Sequence, residues 1–363
     1  MTFKTYGSPR LQRPLLAGLA FLAMAGWGGA VGAPSWQLPD VLDVPATVWP
    51  AAARLAVTGI SASGRRVVAV GPRGFILRSE DGAATWKQVP CPVSADLTSV
   101  KFVSPDLVWA VGHDAVVLKS ADGGATWARM LDGRAVYQLM RKAAETDPAL
   151  KKDVDRTMEQ SATAGVWPTA LMDIAFLDAQ RGFVVGAFGL ILATTDGGKT
   201  WLPWMARTDN ERQFHLYGIT TGVPRPYIAG EQGLLLRLDE GGKQFTRVET
   251  PYNGSYFGVA VEGDRVVAHG LRGNVFFSSD AGSHWQRIAT GTEANIVSAS
   301  LQADRMLLTT QSGDLLSSSV TGPAARVVSS PGAEVYGAVT VAPDRQALAR
   351  LSGVGTVEIP RAP

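Results

Sequence analysis

The sequence predicts an all-β chain, a seven-bladed β-propeller with Asp-bearing corner turns and a short inserted helical hairpin. Three observations carry that expectation. First, an eight-residue phrase recurs. Ser79 to Trp86 reads SEDGAATW, Ser120 to Trp127 SADGGATW, Thr194 to Trp201 TTDGGKTW and Ser278 to Trp285 SSDAGSHW, with a degraded copy, LDEGGKQF, from Leu238 to Phe245. Second, the spacing is regular: Trp86 to Trp127 is 41 residues, Trp201 to Phe245 is 44 and Phe245 to Trp285 is 40, a period that suits four short strands per blade. Third, a hairpin precedes each copy, as in VVAVGPRGFILRS from Val67 and VVAHGLRGNVFFSS from Val266. An apolar run ends in Gly, two variable residues follow, and a second Gly, replaced by Ala115 in one copy, opens the next apolar run. Fainter units from Ile296 and Val335 bring the count to seven.

The recurring phrase makes sense as a tight turn. Asp81, Asp122, Asp196 and Asp280 supply carboxylates that accept backbone N–H bonds, Gly supplies positive φ, and Ser or Thr hydroxyls close further bonds. Trp86, Trp127, Trp201 and Trp285 follow five residues after the Asp and fold back beneath the hairpin. A buried ring of this kind, roughly 200 Å², is a structural staple rather than a reactive group.

Taken in order, the chain opens with Lys4, Arg10 and Arg13, then the apolar run Leu15 to Met24, then small residues through Ala33. This is a signal-peptide layout over 1–33 and implies export, most simply to a bacterial periplasm. No cysteine follows the run, so a lipid anchor is not expected. Residues 34–363 then form one propeller. A strand at about 41–49 is expected to pair onto the last blade, because the seventh unit stops after its third strand and an open circle leaves unpaired edges. Trp127 to Trp201 is 74 residues, and the excess at 132–167 changes character. There Val136, Leu139, Met140 and Ala143 recur at helical spacing, as do Leu150, Val154 and Met158 after Asp147-Pro148, an N-cap pair. The sixth unit reads SVTGPAA from Ser319, without Asp or Trp, and is expected to be the least stable blade.

Composition narrows the function. A net charge of +2 with scattered basic residues gives no footprint for nucleic acid. The single cysteine, Cys91, excludes an internal disulfide and any Cys-rich metal site. None of the four histidines has an i, i+4 histidine partner, so no metal is called for. No P-loop or nucleophile-elbow motif occurs, and no cofactor is implied.

Phrases of the form S/T-x-D-x-G-x-T-W, preceded by VG-x-x-G-x-I-L, resemble the photosystem II assembly/stability factor family, whose members are seven-bladed Asp-box propellers. The likeness covers about 55 to 360 and implies a non-catalytic role in which the propeller holds a partner polypeptide during maturation. Nothing in these residues points to photosynthesis itself, so the expectation is a non-photosynthetic bacterial branch. Its partner would be a membrane protein or envelope complex, a transporter among the candidates, and the chain itself a monomer. The family's partner surface is arginine-rich, and here Arg73 and Arg272 match that idea.

Candidate site residues follow from propeller geometry. The turn between a blade's second and third strands emerges opposite the Asp-box turn, so the pairs between the hairpin glycines share one face. They include Arg73, His113, Asp114, Phe188, Glu231, Gln232 and Arg272, a mixture of charge and aromatic area suited to partner binding. No catalytic residue is assigned. The alternative is a sialidase-like or other glycosidase, which needs converging arginines with a Tyr–Glu pair, or paired carboxylates. Tyr217, Tyr256 and Glu231 are the candidates for that chemistry.

Overall fold

A computed structural model describes residues 39–220, 225–302, 304–320, 322–330 and 332–359. The expected leader at 1–33 lies outside them. Seven antiparallel sheets follow one another along the chain, here blades 1 to 7, at 59–88, 97–131, 171–203, 216–247, 256–287, 296–329 and 335–358. The order in each sheet is sequential, the meander of a propeller blade. The first strand of every blade touches the first strands of its two neighbours, and Gly59–Ser63 of blade 1 meets Val335–Ala342 of blade 7, which closes the circle.

Packing explains why the circle holds. Second strands such as Arg66–Gly71, Val108–Gly112 and Gly182–Gly186 are almost wholly buried, as expected of a strand covered on both faces by neighbouring blades. The apolar clusters accordingly run between blades rather than within them. One joins Val68, Val70 and Ile76 of blade 1 to Val100, Ala110 and Leu118 of blade 2.

In the four full corners the hydroxyl before the Asp is the hub. Ser120 Oγ donates to Asp122 Oδ1 at 2.7 Å and accepts from the Gly124 amide at 2.8 Å. Asp122 then accepts from the Ala125 and Thr126 amides, both at 2.9 Å, and from the Thr126 hydroxyl at 2.6 Å. In blade 4 Leu238 replaces that hydroxyl and Glu240 the Asp, and Asp239, one residue earlier, accepts from the Lys243 amide at 2.7 Å. Burial of the anchoring ring varies. Trp201 is 2% exposed and Phe245 fully buried, whereas Trp86, Trp127 and Trp285 are only partly covered.

The expectation of a strand at 41–49 is corrected. Those residues adopt no strand, and the blade 7 sheet has three strands among the described residues. Pro45 lacks an N–H and interrupts any ladder there. Instead Leu42 is buried among Val89, Cys91 and Val93, the Ala46 amide donates to the Cys91 carbonyl at 3.1 Å, and the Trp49 amide to Gln88 Oε1 at 2.8 Å. The short turn Ala52–Arg54 then lies against blade 7, and the Val57 amide donates to the Arg350 carbonyl at 3.0 Å. The junction of blades 7 and 1 is sealed by side chains, with Ala52, Val57, Ala69 and Phe75 packed on Ala349.

The insertion is helical, with α1 at Gly133–Ala144 and α2 at Pro148–Glu159. Asp132 and Asp147 cap them, each accepting two backbone amides. Val136, Met140, Ala144 and Val154 are the buried stripe, packed in the cluster that joins blades 2 and 3. No helix among the described residues is long and apolar enough to cross a membrane.

Candidate partner-binding face

Two devices fix the backbone of the hairpin tips. The second tip residue sits in the left-handed region: φ is 58° at Arg73, 54° at Asp114, 56° at Phe188, 50° at Gln232 and 54° at Arg272. Glycine follows at positive φ in four of these five, and a Cβ at Gly74 or Gly273 would run into the carbonyl of Val93 or Thr292 from the loop entering the next blade. The second device is the residue just before the first strand of blades 2, 4 and 6. Its side chain accepts from the preceding blade's tip: Asp96 Oδ1 from the Arg73 amide at 2.7 Å, His215 Nδ1 from the Phe188 amide at 3.0 Å, and Asn295 Oδ1 from the Arg272 amide at 3.1 Å. Its carbonyl accepts from its own blade's tip, as between His113 and Asp96 and between Glu231 and His215. Sequence reasoning missed these bridging residues. The signal was a polar residue directly before the inner strand, legible only once that strand's neighbour is known.

The seven predicted residues fare differently. Arg73, His113, Phe188, Gln232 and Arg272 are exposed, with Phe188 at 67%. Arg73 and Arg272 form no ion pair among the described residues. Asp114 is half covered beside the start of the insertion, and burial raises its carboxyl above the ordinary range, with Asp40 and Asp96 adding to the effect and His113 opposing it. Glu231 is committed inward, accepting from the His215 amide at 2.8 Å and the Tyr217 hydroxyl at 3.3 Å.

Part of this face is flanked by the chain's own N-terminal segment. The segment from Pro39 lies against blades 1 and 2 and is clasped to the insertion by Arg134, which pairs with Asp40 and Asp43 at 2.7 Å. The open part, toward blades 3 to 5, carries rings in sequence. Phe188 lies 4.8 Å from His215, His215 6.2 Å from Tyr217, and Tyr217 5.7 Å from Phe257. Tyr217 and Phe257 reach the central channel, a cavity of about 240 Å³ lined by all seven blades. Its lining includes one carboxylate, Asp173, and no arginine. Asp173 pairs with Lys101 at 3.4 Å and accepts from the Ser99 hydroxyl at 2.6 Å and the Ile219 amide at 3.0 Å. Burial lowers His269, beside the channel, to about 4, so it stands there neutral. Burial likewise pushes the Cys91 thiol up to about 11, which makes it a small apolar core residue. Among the described residues no group of three His, Cys, Asp or Glu could hold a metal ion.

Residues 162–338 match the family model described as photosynthesis system II assembly factor YCF48. Over that stretch the chain is similar to this family. The photosystem II assembly lipoprotein Ycf48 of Synechococcus sp. (strain CC9902) is 30% identical over 122 residues, 33% of this chain and 37% of that protein. The chloroplastic photosystem II stability/assembly factor HCF136 of Oryza sativa subsp. japonica is 27% identical over 124 residues, 32% and 30% of the two chains. The Ycf48-like match thus spans about a third of these curated relatives' length. Among solved structures, YCF48 bound to D1 peptide superposes with a TM-score of 0.61 at 15% identity, covering 85% of this chain and 95% of that one. The Niastella koreensis GH74 enzyme superposes with 0.56 at 15% identity, covering 81% and 50%. At such identities the likeness is one of fold.

Proposed function

We propose that this chain is an exported, non-catalytic propeller that holds a segment of a protein partner on its hairpin-tip face and so assists assembly or stability of a membrane-associated complex. The observation that carries the reading is the tip geometry: side chains that differ from blade to blade stand on a backbone fixed from the neighbouring blade, and Arg73 and Arg272 are left without ion pairs. The Ycf48 likeness supports it, since a solved YCF48 is bound to a D1 peptide. The expected setting is the periplasm of a non-photosynthetic bacterium and the expected partner an envelope complex, a transporter among the candidates. A pull-down from detergent-solubilised envelope tests this. A stoichiometric membrane partner weakened by Arg73→Glu with Arg272→Glu is the expected result, and recovery that ignores both charges counts against it.

A glycosidase reading is favoured by one observation, the Tyr217–Glu231 hydrogen bond at 3.3 Å. Against it, burial and then the Glu231 charge raise the Tyr217 phenol above its ordinary range, the opposite of an activated nucleophile. The channel beside it also lacks the arginines and second carboxylate that such chemistry needs. Turnover of a chromogenic glycoside that Tyr217→Phe abolishes would establish this alternative.

A further inference from the structure

The ring series on the open part of the tip face is out of keeping with a mere scaffold. Phe188 is a bulky residue in the left-handed region, which few such side chains adopt, and it is 67% exposed. The equivalent second tip residues are Arg73, Asp114, Gln232 and Arg272, and none of them is apolar. The His215 acceptor that holds the Phe188 amide also lies 4.8 Å under its ring, so the phenyl is presented rather than tucked away. Tyr217 and Phe257 continue the surface to the channel mouth, each at the bulge that opens its blade's first strand.

The charges around these rings are unequal. Glu231, the carboxylate nearest the series, is already bonded to the His215 amide and the Tyr217 hydroxyl. Arg272, on the tip of the blade that carries Phe257, is exposed and has no ion pair among the described residues. Arg212 lies over Phe214, in the loop that packs against the Phe188 tip at Gly189. Glu231 keeps its negative charge on the blade 4 side, so an anionic group is favoured at the blade 5 end, beside Arg272, with the apolar group on the rings.

We infer that the Phe188–His215–Tyr217–Phe257 series is a recognition ledge for an extended polypeptide carrying a bulky apolar or aromatic residue next to an acidic one. The ring stacks on the ledge and the carboxylate pairs with Arg272. Flat aromatic area with an adjacent arginine is the usual make-up of an energetic anchor. This rests on the reading that the tip face holds a partner segment, and it adds which part of that face reads the segment and what it reads.

The test uses the full chain and a phage-displayed random dodecapeptide library, followed by fluorescence anisotropy on a peptide of the consensus sequence. The expected consensus has an aromatic residue or leucine within three positions of Asp or Glu. Phe188→Ala is expected to weaken binding tenfold or more at an unchanged melting temperature, and Phe188→Tyr to restore it. Arg272→Glu, or the peptide with amide in place of the acid, is expected to weaken it similarly. A library that yields no enrichment overturns the inference, as does a consensus without an apolar residue. Binding sensitive to Arg73→Glu and indifferent to Phe188→Ala overturns the ledge while leaving the tip face as a partner surface. A self-association in sedimentation that Phe188→Ala abolishes assigns the ledge to a second copy of the chain instead.

Discussion

Single residues decide how firmly each corner is tied. The Asp196 carboxyl is held down to about 2 by the Thr200 hydroxyl and amide, while for Asp122 burial, the largest single effect, pushes upward and is outweighed by the Thr126 hydroxyl and amide together with the Ser120 hydroxyl and Ala125 amide to give about 2 as well. Both lie below the unfolded value of about 3.9, so their contribution is complete above that pH and is lost as pH falls through the folded values. Melting temperature should therefore fall first between about pH 6.5 and 4, where the unfolded imidazole takes up a proton that buried His269 refuses, and again between about pH 4 and 2, with Asp196→Asn removing part of the lower slope. Thermal scans across that range check it, and a slope unaltered in Asp196→Asn contradicts it. Ring burial makes a second distinction. Trp201→Ala should cost about 3–5 kcal/mol in denaturant titration, and Trp285→Ala less, because Trp201 is 2% exposed while Trp285 is only partly covered.

At the scale of elements, the corners do more than turn their own blade. The residue just before each corner reaches the next blade's corner. Arg78 Nε donates to the Gly123 carbonyl at 2.8 Å, Lys119 Nζ to the Gly197 carbonyl at 3.0 Å, and Arg237 Nη1 to the Ala281 carbonyl at 2.7 Å. In blades 3 and 5, whose following blades lack a full corner, the same position is apolar: Ala193 faces the degraded copy in blade 4 and Phe277 packs with Val320 of blade 6. Arg78→Met should lower stability by about 1–3 kcal/mol, since it leaves the Gly123 carbonyl short of a donor. Chemical denaturation of Arg78→Met and of a Phe277→Leu control separates this loss from simple repacking. The insertion's anchoring was half legible. Its period and the Asp147-Pro148 cap were readable, but the clasp of Arg134 on Asp40 and Asp43 joins residues more than 90 positions apart. Asp132→Ala should loosen α1 at a cost of about 1 kcal/mol, read as faster amide exchange over Gly133–Ala144.

For the whole molecule the end of the ring is expected to open first. Blade 6 has no Trp-anchored corner, and Ser318 Oγ donates to the Ser319 and Ala324 carbonyls in its place. Blade 7 has three strands among the described residues, and its junction with blade 1 is held by the Ala52–Arg54 turn and side-chain packing. Native-state hydrogen exchange should show blades 6 and 7 opening at lower free energy than blades 2 and 3. Gly353→Val should widen that gap, because Gly353 has φ of 103° and a Cβ there would strike the Ala53 carbonyl. Uniform protection round the ring would count against this account.

What the sequence determined alone was whatever repeats locally. A corner needs its Asp, its glycine and its ring within eight residues, and a hairpin tip needs two glycines three apart, so both recur at a readable period. Seven blades, the buried strands and the helical insertion followed from that. Tertiary structure decided the rest. The path of residues 39–57 depends on a buried Leu42 and a proline that breaks the ladder, where edge pairing alone suggested a strand. Of the tip residues named from sequence, Glu231 and Asp114 turn out to be engaged or covered, because Glu231 turns onto the start of its own blade's first strand and Asp114 meets the start of the insertion. The ring series from Phe188 to Phe257 has no sequence signature, since its members lie on three blades. Only closing the circle brings them within stacking distance.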